Sequence, residues 1–431
     1  MIKKTIIPIL LMQILIFLVG CSSPATTIPA SSTPTTFPPT QVVPPSATPI
    51  PPTETPTPLP PTPTLTPINP IQHFTAGQEF TVSSIHMVDA NLGWAIGGLT
   101  DWGDHVLSTL DGGLTWKDVT PPEEAAPSGD NLAATGFFPD AQTGWVIYSY
   151  TSGITPSQSV VWRTQDGGIT WQASQPLDLT NLSEFYNPSH LQFVNGQMGW
   201  LMVHVGVGMN HDYIILYRSN NGGLTWDRLL DPYTDSSGIM SCSKTGLLFT
   251  DYTQGWLTGD CHGVAAGVQL FKSSDGGATW APVTLPDPTN ALGLFSNFEA
   301  ACGSYDPFFF SNELGHLAVN CMDYSQDPPT YQYYIFTTYN GGSGWVSSTY
   351  PGESLYFFSE GTGWALARKI HRTTDGGFTW KAIANVNWDV EVDFVTEQVG
   401  WGVARAETEF ALVKTIDGGA KWVMLVPRMG P

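Results

Sequence analysis

The sequence predicts an all-β fold, a seven-bladed β-propeller of four-stranded antiparallel blades, and two observations carry that expectation. The pattern Ser/Thr-x-Asp/Asn-Gly-Gly-x-x-Trp occurs seven times, ending at Trp116, Trp171, Trp226, Trp280, Trp345, Trp380 and Trp422. A Gly-Trp pair precedes six of the copies, at Gly93, Gly144, Gly199, Gly255, Gly363 and Gly400, and Gly315-His316 takes its place in the fifth. These two positions hold 13 of the 16 tryptophans, so residues 71–431 read as one repeat of about 52 residues, a length that suits four short strands.

Composition agrees. The 44 Gly, 35 Pro and 16 Trp mark a turn-rich and aromatic-rich chain, and extended Leu/Ala/Glu/Lys stretches of helical period are missing, which excludes a helical bundle. Asp and Glu number 37 against 16 Lys and Arg, a net charge of -21. A nucleic-acid partner requires the opposite sign to displace counterions from phosphate, so none is expected.

Lys3 and Lys4 precede an apolar run from Ile6 to Gly20, too short to span a bilayer comfortably and read as a signal peptide over residues 1–20. The run ends Leu18-Val19-Gly20-Cys21, which resembles the lipobox of bacterial lipoproteins. That resemblance implies cleavage before Cys21, lipidation of its thiol and a lipid-anchored place in the cell envelope, outside the cytoplasm. Residues 22–70 hold 17 Pro, 13 Thr and 5 Ser, a composition with little to bury and few backbone donors. Residues 21–70 are therefore expected to form a lipidated, extended Pro/Thr-rich linker that takes no part in the fold.

The seven turns explain their own residues. An Asx side chain bonds the N–H groups just ahead of it, the Gly pair permits positive φ, and a Ser or Thr hydroxyl ties the two arms. Asp111, Asp166, Asn221, Asp275, Asn340, Asp375 and Asp417 are accordingly read as structural, with no metal or cofactor implied. Arg163, Arg218 and Arg372 each stand three before the Asx, where the repeat accounts for them. The turn resembles the Asp box of BNR-type repeats. Combined with Gly-Trp-Ala-x-Gly it resembles the photosystem II assembly and stability factor family of seven-bladed propellers, departing at His316, Gly344 and Lys421.

Cys242/Cys261 and Cys302/Cys321 are both 19 apart and offset from each other by the same step as Gly255 and Gly315. In an exported chain this favours two disulfides, three pairings being formally open and metal binding by the thiols the alternative.

Strands in meander order put the Gly-Trp turns and the Asx turns at one end of the blades and all other connections at the opposite end. That second end is irregular, long at 120–131, 178–190, 231–244, 287–306 and 320–332 and short at 350–354 and 385–389, so it is the expected binding face. Its candidates are the aromatics Trp102, Tyr150 and Tyr324 and the polar positions four after each Gly-Trp tryptophan, among them His204, Asp260, Arg368 and Arg405. Other aromatic and acidic groups of this end are Asp101, Asp104, Tyr148, Phe185, Tyr186, Asp212, Tyr305, Asp306 and Asp323.

The resemblance implies a non-enzymatic binding or assembly module that holds a membrane or surface protein. The alternative is a glycan-binding or glycoside-hydrolase propeller. Hydrolysis needs two carboxylates at a set separation, and Asp101, Asp104, Asp130, Glu184, Asp212, Asp235, Asp260 and Asp306 are too many to single out a pair. No Arg-Ile-Pro element of sialidases occurs, and the His204/His211 pair alone does not make a metal site.

Overall fold

The computed structural model describes residues 69–431 except 183–184, 236, 262–265, 326 and 407–408. The signal peptide, Cys21, the linker up to residue 68 and Glu184 lie outside the described residues.

The described chain is a succession of antiparallel meanders, numbered here in chain order. Meander 1 is Thr81–Met87, Gly93–Gly98, His105–Thr109 and Thr115–Asp118, and meander 2 is Leu132–Phe137, Gly144–Tyr150, Val161–Thr164 and Gln172–Ala173. Meander 3 is Asn187–Phe193, Gly199–Gly208, His211–Ser219 and Asp227–Leu230, and meander 4 is Ser243–Phe249, Gly255–Asp260, Gln269–Ser273 and Ala281–Pro282. Meander 5 is Phe308–Phe309, Gly315–Asp323, Thr330–Thr338 and Val346–Thr349, with Ala300–Ser304 added along its second strand. Ser354–Phe357, Gly363–Leu366, Lys369–Thr373 and Lys381–Asn385 form meander 6; Asp389–Phe394, Gly400–Ala406, Glu409–Thr415 and Val423–Leu425 form meander 7.

These strands make six sheets. Four have four strands, meander 1 gains a fifth, and a pairing of Asp260 with Gly303 merges meanders 4 and 5 into one sheet of nine. The fifth strand of meander 1 is the C-terminal Arg428–Met429, parallel to Thr115–Asp118. The N-terminal segment docks on the same sheet: Ile71 N–H donates to the Glu123 carbonyl (2.9 Å), Phe74 N–H to the buried Asp118 carboxylate (2.9 Å), and Gly77 N–H to Met429 O (2.9 Å).

One junction is used between most neighbouring meanders. The second-strand tryptophan lies flat on the phenylalanine that closes the first strand of the next meander, with ring centroids 3.8 Å apart for Trp145/Phe193, 3.9 Å for Trp200/Phe249 and 3.7 Å for Trp364/Phe394. Its indole N–H donates to the first glycine carbonyl of the next Asx turn, as Trp145 does to Gly222, Trp200 to Gly276 and Trp364 to Gly418, each at 2.9 Å. The last meander meets the first in the same way, Trp401 Nε1–H donating to Gly112 O at 2.9 Å, and both share one apolar cluster. The glycine before each tryptophan is required by close approach. A Cβ on Gly199 would stand 2.4 Å from the Phe193 ring, and one on Gly400 2.5 Å from Phe394.

His316 occupies the tryptophan position at the fifth junction. It is buried, bonds Thr337 Oγ1 (2.9 Å) and packs 4.4 Å from Phe357; burial pushes its imidazole down to about 4, so it is neutral.

Candidate binding face

The two ends of the meanders differ in kind. At one end the Asx turns repeat a single hydrogen-bond set. In the turn of Asp275, Oδ1 accepts from Ser273 Oγ (2.9 Å) and Thr279 N–H (2.9 Å), and Oδ2 accepts from Thr279 Oγ1 (2.6 Å). Asp111, Asp166 and Asp375 bond in the same way. Asn221 accepts from Ser219 Oγ and Thr225 N–H. At Asn340 and Asp417, where Gly344 and Lys421 replace threonine, the backbone bond persists at 2.8 Å without the hydroxyl. The Asx oxygens are thus occupied by their own turns. Asp275→Ala should cost about 1 kcal/mol of stability through these lost bonds and leave ligand affinity of the folded protein unchanged, as urea unfolding and a binding isotherm on the same sample would read.

These bonds also set a pH dependence. In Asp166 and Asp375 the threonine hydroxyl and N–H hold the carboxyl below its ordinary value of 3.8; in Asp111 and Asp275 burial pushes the other way and is outweighed by the same bonds, and in Asp417 burial is outweighed by the Lys421 N–H, the Thr415 hydroxyl and the Lys421 charge. A depressed folded pKa contributes stability that is present above the unfolded value and is lost as pH falls through the folded one. Below about pH 4, therefore, wild type should lose stability faster than Asp375→Asn, whose turn has no proton to take up.

Arg163, Lys272, Arg372 and Lys414 lie 4.3 to 5.6 Å from the centroids of Trp145, Trp256, Trp364 and Trp401 on the adjacent strand. Arg218 pairs with Trp200 across the strands and donates to Gly276 O (3.5 Å). These cations cap tryptophans and do not gather into an anion clamp.

The opposite end carries the irregular connections and the sequence-predicted candidates. Trp102 and Tyr324 are exposed, in the 99–104 connection of meander 1 and just beyond Gly315–Asp323. Tyr150 and Asp260 end second strands; Arg405 stands near the end of another, and Arg368 lies just past one. Arg405 reaches Glu391 (3.6 Å), stacks over Phe410 (5.5 Å) and donates to Ser83 O of meander 1 (3.3 Å). Asp260 accepts from Tyr305 Oη (3.2 Å), and burial with this neighbouring charge pushes the Tyr305 phenol up to about 12. The candidates occupy separate meanders.

Several expected groove residues are packed away. Tyr186 is fully buried and donates to Ser159 Oγ (2.7 Å), Tyr148 is buried, and Asp212 is buried beneath His204. Residues 320–332, expected as a loop, mostly extend a hairpin whose pairing runs out to Asp323 and Thr330; meander 3 carries an equal extension to Gly208 and His211. The aromatic and β-branched run Thr330-Tyr331-Gln332-Tyr333-Tyr334-Ile335-Phe336 is the signal that marks it as strand.

Both cysteine pairs are disulfides, Cys242–Cys261 and Cys302–Cys321. They tie second strands to the preceding connections. Beside the first lies a cleft of about 330 Å³ between the meander 3 hairpin tip and meander 4, lined by Val207, Met209, His211, Ser243 and Asp260.

No family model matches the chain, and no curated protein matches it significantly. Solved structures do. "YCF48 bound to D1 peptide" aligns at 15% identity over 81% of this chain and 97% of that one, with a TM-score of 0.50. The polysaccharide lyase Uly1 aligns at 10% identity over 81% and 94%, also 0.50. A puromycin-hydrolyzing peptidase of Mycobacterium tuberculosis aligns at 11% over 83% of this chain and 57% of its own, again 0.50. At such identities the likeness shows the fold alone, a β-propeller.

Proposed function

We propose that this β-propeller is closed and seven-bladed, built on Asp-box turns, and is held at the cell envelope through lipidated Cys21 as a binding or assembly module. The observation that carries the reading is the contrast between the two ends: one repeats a self-satisfied turn, and the other presents irregular connections with exposed Trp102, Met209, Tyr324 and Tyr331 among carboxylates. The junction of Trp401 with Gly112 and the C-terminal strand beside Thr115–Asp118 support closure. A propeller of similar fold is described with a bound peptide, which favours a protein segment as the ligand. The lyase of similar fold supports the second reading, a glycan ligand on the same face.

Affinity capture on detergent-solubilised envelopes, with the full chain as bait, tests the first reading. A membrane or surface protein retained by wild type and released by Trp102→Ala with Tyr324→Ala is the expected result. Retention of polysaccharide in place of protein establishes the second reading, and equal capture by the double variant removes the assigned face. Cys21→Ser should move the chain from the membrane to the soluble fraction.

A further inference from the structure

Meander 3 contains a side-chain construction centred on His204, one of the candidate positions of the irregular face. Ser189, His204 and Asp212 stand on its first, second and third strands. His204 Nδ1 lies 2.9 and 3.0 Å from the two Asp212 oxygens, and its Nε2 lies 3.1 Å from Ser189 Oγ. Asp212 is 4% exposed and also accepts the Lys244 N–H at 2.7 Å. Burial pushes its carboxyl up, but the bonds and charges of His204 and Lys244 outweigh this and hold it below the ordinary range, so it is an anion at neutral pH.

Hydrogen-bond logic then fixes the direction of the chain. A carboxylate only accepts, so Nδ1 of His204 carries a proton, which leaves Nε2 as the ring nitrogen able to accept from the Ser189 hydroxyl. On the other side of Ser189, His190 Nδ1 lies 3.0 Å from Oγ, and the far nitrogen of that ring faces Asp306 Oδ1 at 3.4 Å. Neighbours in a regular strand point to opposite faces. Here the register slips between Ser189 and Gln192, and His190 takes φ 47, a left-handed conformation that non-glycine residues seldom adopt. The slip brings both side chains together.

We propose that Ser189 is the nucleophile of an acyl-transfer site acting on small carboxylic esters, with His204 as its base and Asp212 positioning that base. The site stands beyond the binding reading, and neither requires the other. Ser189 Oγ bonds to the acyl carbon as its proton passes to His204 Nε2. The ester C–O bond then breaks, and the alcohol leaves with that proton. Water attacks the acyl-serine, its proton passes to His204, and release of the carboxylic acid returns the hydrogen to Ser189. His204 and His190 are partly exposed, at 15% and 24%, which suits a compact substrate.

The test is labelling of the full-length, detergent-solubilised protein with an alkyl fluorophosphonate, the adduct located by peptide mass spectrometry, alongside hydrolysis of p-nitrophenyl acetate. One adduct on Ser189 is expected. It should be absent in Ser189→Ala and form about 100-fold more slowly in His204→Gln, with esterase activity following both and circular dichroism unchanged. Asp212→Asn should slow labelling and alter its pH profile, a change that a packing defect alone does not produce. Folded wild-type protein left unlabelled at Ser189, or labelled there as fast in His204→Gln as in wild type, overturns the proposal.

Discussion

Trp401→Ala is expected to lower the unfolding free energy by about 4 kcal/mol, the scale for removing a large ring from a packed core. The indole is fully buried, lies beneath Lys414 (4.3 Å) and bonds Gly112, 289 positions away in sequence. Trp200→Ala removes an equivalent ring between meanders 3 and 4 and should cost a similar amount. The two differ in what else holds the joint. Meanders 3 and 4 are consecutive in the chain, whereas meanders 7 and 1 meet only through packing, the C-terminal strand and contacts such as Met87 N–H to Asp393 (2.5 Å). Hydrogen exchange should therefore accelerate in residues 81–118 and 389–425 together in Trp401→Ala, ahead of the remaining sheets. Protection lost evenly over all meanders would show that this joint is no weaker than the others.

Replacing Cys302 and Cys321 together by alanine should cost about 3 kcal/mol, the loop-closure value for a crosslink of this span, and the same holds for Cys242 with Cys261. Cys302 and Cys321 face each other across paired strands and are nearly inaccessible. Ala300–Ser304, which the first of them anchors, also makes the pairing that merges meanders 4 and 5. Chemical denaturation with and without reductant checks the magnitude, and local exchange at 300–304 checks the place. An unchanged midpoint after verified reduction would mean that strand pairing alone fixes these connections.

The repeat was legible because its residues are dictated by geometry: Gly-Gly where φ is positive, as at Gly112 (φ 74) and Gly113 (φ 89), and Asx where an oxygen must bond the backbone ahead. A third repeated signal was there to be read. Phe138, Phe193, Phe249, Phe309, Phe357 and Phe394 each stand six before a junction glycine of their own meander, and their rings are what make that glycine obligatory. The candidate face was less legible, since burial of Tyr186 or Asp212 depends on neighbours distant along the chain. Asp212 appeared as one carboxylate among many; its partners His204 and Ser189 are 8 and 23 positions away and meet it only through strand pairing. His190 carries no sequence signal at all, because a bulge is a property of two strands together.

Both ends of the described chain are sewn into meander 1, and this has a mechanical meaning. Tension applied ahead of Asn69 would be received by Ile71 on Glu123 and by Phe74 on Asp118, then by Gly77 and Glu79 against the terminal strand at Arg428 and Met429. The load path thus passes through the sheet that also bears the seam with meander 7. A tether pulling there strains residues 71–79 and the terminal strand first, while meanders 3 to 5, with their disulfides and extended hairpins, stay remote from the force.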